Sequence, residues 1–142
     1  MAGSLTNYGE SLSLNLMFRK TGTAPDALYL GLTTASFSET ATLNDLSGIE
    51  ILIGGLVVRR QVAFSAPAVG GDNRTAIKNT SDVAFGPWQV AAGSPVTHAF
   101  ITDAASGTAG NIIAWMQLDE AKTPGAGDML VFYANDLVFT LD

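Results

Sequence analysis

The sequence predicts a mainly β protein, a single β-sandwich or jelly-roll-like domain of about eight strands with one short N-terminal helix. Three observations carry this. Apolar residues recur at every second position in short runs, such as Leu28, Leu30 and Leu32 or Leu137, Phe139 and Leu141, which is the period of a half-buried strand. Clusters of Gly, Pro, Asn, Asp and Ser punctuate these runs at intervals of roughly 8–15 residues, a spacing of turns rather than of helical crossovers. A helical pattern is found once, near the start, so βαβ units are excluded.

Met1 to Asn7 reads as a polar, flexible arm, residues 1–7. It lacks a basic residue followed by an apolar core, which argues against a signal peptide and for use without Sec-type export. Ser11 to Lys20 fits two templates. Leu12, Leu14 and Leu16 alternate as in a strand, whereas Leu14, Met17 and Phe18 lie at helical spacing and Arg19-Lys20 before Gly22 resembles a helix end. Leucine, methionine and a terminal basic pair favour a short amphipathic helix.

Pro25-Asp26 turns the chain into a strand over 27–34. A long connection, residues 35–55, follows; it is rich in Ser, Thr, Asn and Gly and carries the apolar patch Ile49, Ile51, Leu52 and Ile53. Loops this long usually serve contacts or are disordered. Gly54-Gly55 opens a strand over 56–66, with Val58, Val62 and Phe64 on one face. Short strands follow at 76–77, 82–85, 96–103, 111–118, 129–133 and 136–141.

Composition bounds the function. The 142 residues fit one domain, which at this size buries roughly two-thirds of its unfolded surface without a staple. There is no cysteine, hence no disulfide and no thiolate metal site. Charged residues make up only 14% and apolar residues 47%, a balance that suggests a surface partly covered by partners. A net charge of −6 opposes binding to nucleic acid, and no stretch approaches the roughly 20 apolar residues of a membrane span.

Reactive groupings are sparse. The one histidine, His98, lies in an apolar run and reads as a packed imidazole with a single hydrogen-bond partner. Ser94 sits in a Gly-Ser-Pro turn rather than a nucleophile elbow. Asp119-Glu120 and Asp128 read as solvated turn residues, and Gly125-Ala126-Gly127-Asp128 lacks the lysine and helix of a phosphate loop. Trp115 reads as core. Trp88, after Gly86-Pro87, fits either a core plug or a contact platform. Arg59 and Arg60, adjacent in a strand, point to opposite faces. The reading is therefore of a protein that is not an enzyme and holds no cofactor or metal.

The order of pieces along the chain resembles a family of small tailed-phage virion proteins usually described as tail-fibre proteins, some of whose relatives are head-decoration proteins. The resemblance rests on the leucine-rich opening before Arg19, PDALYLGL from Pro25 to Leu32, Glu50, and the glycine pair leading to Arg60-Gln61-Val62-Ala63-Phe64. It continues through Asn79, Val83-Ala84-Phe85, Trp88, VTHAFITDAASG from Val96 to Gly107, Asn111 to Trp115, and Gly127-Asp128 through Phe139-Thr140-Leu141-Asp142. Leu56-Val57 stands where the family often has a tyrosine, and Ala99 where it has an aromatic.

The resemblance implies one virion structural domain over residues 1–142 and brings no catalytic residues. It implies first a capsid decoration, or cement, protein that bridges capsid subunits on the outer surface of the head. The alternative is a tail or tail-fibre component that binds host surface carbohydrate through Trp88, Tyr8 or Tyr133. The expected partners are the major capsid protein or other virion proteins, with further copies of the chain in a homo-oligomer, a trimer by analogy. The residues expected to make protein contacts are Leu5 and Tyr8, the patch Ile49, Ile51, Leu52 and Ile53, and Arg59, Arg60 and Trp88.

Overall fold

The computed structural model describes residues 2–141; Met1 and Asp142 lie outside the described residues. The fold is mainly β, with one short helix, as the alternation predicts. Twelve strands follow in order: β1 (Ala2–Leu5), β2 (Leu28–Thr33), β3 (Leu52–Ile53), β4 (Leu56–Val57), β5 (Arg60–Val62), β6 (Ala68–Val69), β7 (Thr75–Lys78), β8 (Val83–Phe85), β9 (Val96–Thr102), β10 (Ile112–Lys122), β11 (Leu130–Phe132) and β12 (Val138–Leu141). Helix α1 (Asn7–Leu14) lies between β1 and β2 and runs into a wider π turn, Asn15–Arg19.

Eight strands form one curled sheet in the order β5-β2-β9-β10-β1-β12-β7-β6. The sheet closes on itself. Beyond β5 the chain leaves β2 and reaches β7, where Phe64 bridges Asn79, Ser65 N–H donates to the Lys78 carbonyl at 2.8 Å and Thr80 N–H donates to the Ala63 carbonyl at 3.0 Å. Two short ribbons, β8–β11 and β3–β4, stand outside this ladder.

The predicted flexible arm is corrected here. Ala2–Leu5 is a strand inserted between β10, antiparallel, and β12, parallel. Small residues permit this: a side chain at Gly3 would run into the Phe139 ring. Leu5 is half-buried against the core. Thr6 then caps α1, accepting from Gly9 N–H while its hydroxyl faces the Ile112 and Ile113 carbonyls. Glycine inside a helix costs about 1 kcal/mol relative to alanine. Here it is required by close approach, because a Cβ at Gly9 would meet the Ile113 carbonyl oxygen.

Strand β9 is buried on both faces, which explains why VTHAFIT shows no clean alternation. Ala99 and Ile101 join the main core with Leu30, Leu32, Phe85, Met116 and Leu137. Phe100 points the other way, into a second cluster with Leu43, Leu46 and Ile112. Residues 35–55 build the cover of that second cluster. Leu43–Leu46 is a 3-10 turn, at whose start the Asp45 carboxylate accepts from Thr42 N–H at 2.8 Å and from the Thr42 hydroxyl at 3.0 Å. These bonds hold the Asp45 carboxyl below its usual range. Phe37 packs edge-on against Phe100 and Trp115, and Glu50 bridges Thr33. The connection is thus folded onto the sheet, not a free contact loop.

Candidate contact surfaces

The nine residues expected at protein contacts divide sharply. Ile51 and Trp88 are core residues, and Ile53, like Leu5, packs half-buried against the same core. Ile49 packs on the second cluster. The correction has a physical reason: Ile51 and Ile53 complete the main core, and Ile49 helps to cover the apolar outer face at Phe100 and Ile112. Trp88 follows the cis Gly86–Pro87 bond and ties the 86–88 segment to the 125–128 loop, its N–H donating to the Asp128 carbonyl at 3.0 Å and its carbonyl accepting from Gly127 N–H at 2.6 Å.

Arg59 and Arg60 point to opposite faces, and Arg59 is buried. Its guanidinium grips Glu50 with two bonds, Nε–Oε1 at 2.7 Å and Nη2–Oε2 at 2.9 Å, and donates from Nη1 to the Ala104 carbonyl at 3.1 Å. It also lies 5.7 Å from the centre of the Phe100 ring. The pair fastens the base of the β3–β4 hairpin to the second cluster. Arg60 is exposed and donates to the Ala84 carbonyl at 3.2 Å.

Tyr8, Leu52 and Arg60 are the expected contact residues that the fold leaves exposed. The structure adds others. The β3–β4 hairpin turns through Gly54 and Gly55, both at positive φ as a tight hairpin requires, and presents Leu56 and Val57 beside Leu52. The helix end presents Leu14, Met17 and Phe18, of which Phe18 is 75% exposed. Their helical spacing was visible in the sequence; their exposure was not.

An open groove of about 400 Å³ lies between the end of β10 and β11. Leu118, Leu130 and Phe132 line it, and Asp119, Glu120 and Asp136 stand at it with Lys122. Lys122 is paired with Glu120 at 2.6 Å, which keeps the Glu120 carboxyl below its usual range. Among the described residues, no group of three or more His, Asp or Glu side chains is placed to hold a metal ion. Among the described residues, no helix is long and apolar enough to cross a membrane.

His98 is buried, its Nδ1 at 2.8 Å from the Thr97 hydroxyl and its ring 6.1 Å from that of Trp115. Trp115 Nε1 is buried without a hydrogen-bond partner. Desolvation lowers the His98 pKa below its ordinary value. The unfolded chain therefore binds a proton that the folded chain refuses. The stability associated with the neutral ring is complete above about pH 6.5 and declines as the pH falls from there through the lower folded-state pKa. We expect denaturant midpoints to drop between pH 7.5 and 5, and His98→Gln to flatten that drop. An unchanged slope in the variant would remove His98 from the account.

Fold and surface together define a closed, mainly β module that holds its polar network inside and offers apolar side chains at a hairpin and a helix end. A family model described as "Podophage GP4 fiber I protein gp80" matches residues 4–140, and the chain belongs to that family. It is accordingly a structural protein of the tailed-phage virion. No curated protein matches the chain.

Proposed function

We propose that this chain is a component of the phage tail fibre that works by binding neighbouring tail proteins, with no reaction of its own. The observation that carries the reading is the family match, which runs from β1 to β12 and so covers the whole closed sheet. The fibre description of that family favours the tail over the head-decoration reading. The buried polar groups support binding over catalysis: Arg59, Glu50 and Asn79 spend their hydrogen bonds on the fold itself. Stacking of host carbohydrate on Trp88 is withdrawn, because that ring is enclosed in the core.

The test is to locate the protein on the particle with a gold-labelled antibody or by density in particle images. Label on the tail is the expected result. Label spread over the head would overturn the fibre reading in favour of capsid decoration. Turnover of a host polysaccharide by the purified chain would overturn the non-catalytic part.

A further inference from the structure

We propose that two copies of this chain pair through the exposed face of α1 and its π turn, antiparallel about a two-fold axis. Glu10, Leu14 and Phe18 recur every four residues, and the π turn widens the helix towards that spacing. The three therefore form one stripe, with Met17 beside it. Leu14, Met17 and Phe18 are 58, 66 and 75% exposed. The neighbouring Leu12 and Leu16 are half-buried, and the chain returning towards β2 passes them at Gly22, where an added Cβ would stand 3.6 Å from Leu12. The molecule covers those two leucines itself and leaves the stripe bare.

Charge makes this face its own complement. Glu10 stands at one end of the stripe and Arg19-Lys20 at the other, all three exposed. Among the described residues none of them is in an ion pair, and Arg19 shares only a 3.4 Å bond with the Asn15 carboxamide. At about 1.5 Å per residue, Glu10 lies roughly 9 Å before the middle of the apolar block and the basic pair roughly 5 Å beyond it. Turning one copy over sets its Leu14 against Met17 and Phe18 of the other. It also brings each Glu10 opposite the basic end of the other copy, and the long arginine and lysine stems span the remaining gap.

A parallel pair would place like charges together at both ends, so the charges select the antiparallel arrangement and its register more than they add affinity. A contact made by the same patch on both copies is isologous and closes at two. Three apolar side chains from each copy make a contact smaller than a standard interface, so the dimer is weak and forms at high concentration. This inference does not depend on where the protein sits on the particle.

Sedimentation equilibrium of the purified full chain at concentrations up to about 1 mM tests it. A monomer–dimer equilibrium that weakens as salt is added is the expected result. Phe18→Glu is expected to weaken the dimer about thirtyfold, the loss of a central aromatic anchor, and Phe18→Ala to weaken it in smaller degree. Glu10→Lys and the double variant Arg19→Glu with Lys20→Glu should each lose self-association. Mixed together, these two variants should form a heterodimer, because both charge contacts are then complementary again. All these positions are exposed, and unchanged thermal melts will show that each variant is folded. A wild-type chain that stays monomeric at about 1 mM overturns the proposal. So do trimers or longer files, dimers that survive both Phe18 variants, and charge variants that fail to pair with each other. Monomers that instead bind anionic lipid vesicles through Phe18 would also overturn it, assigning the face to a membrane.

Discussion

Glu50→Ala is expected to destabilise the fold by about 3–5 kcal/mol, the cost of leaving a buried charge without its partner. The Arg59 side chain is only 1% exposed, so its guanidinium cannot turn to water when the carboxylate is removed. The Ala104 carbonyl and the Phe100 ring would remain as its neighbours, and neither carries a countercharge. For a domain whose total stability is typically about 5–15 kcal/mol, this is a large share. Urea unfolding followed by tryptophan fluorescence will measure it. Removing both charges at once, as Glu50→Leu with Arg59→Met, should recover much of the loss, since an ion pair taken out of water gains little over a well-packed apolar pair. A single-variant loss below 1 kcal/mol would show that the site admits water, and the role given to the pair would fail.

Asn79→Ala is expected to cost about 3 kcal/mol, because one fully buried carboxamide serves three segments. Its Nδ2 donates to the Ser81 and Tyr133 carbonyls, both at 2.9 Å, and its Oδ1 accepts from Leu137 N–H at 2.9 Å. Its backbone takes part too, accepting from Asn135 N–H and donating to the Leu137 carbonyl. Alanine leaves two carbonyls and an amide to find other partners at the point where the sheet closes. Amide exchange of Leu137 should accelerate with the loss of stability. Asn79→Asp keeps an acceptor for Leu137 but replaces both donors with a buried charge, and it should be worse than alanine at neutral pH. If both variants melt like the wild type, the carboxamide does not hold the closure.

The strands that sequence reasoning found most clearly are those with one apolar face. Leu28, Leu30 and Leu32 in β2 and the alternating residues of β10 and β12 announce themselves by period. Strand β1 does not, because Ala-Gly-Ser-Leu has little side chain to pattern; it is a strand only because β10 and β12 leave a slot of its width. The isoleucines of 49–53 were misplaced for a related reason. An apolar patch in a polar connection marks either an outside partner or a second internal layer, and composition cannot choose. The structure uses the stretch in both layers, with Ile51 and Ile53 in the main core and Ile49 over Phe100 and Ile112. Asn79 was legible only as part of a motif, since the number of bonds a carboxamide makes is set by chain segments far from it in sequence.

The bridge from Phe64 to Asn79 has a consequence for life in a crowded assembly. A sheet joined edge to edge has no row of spare amides and carbonyls for a stranger's strand to copy, and its outermost addition, β6, is only two residues long. Two such sheets can therefore touch without fusing backbone to backbone. Recognition between those sheets falls to side chains, where a single substitution can edit it.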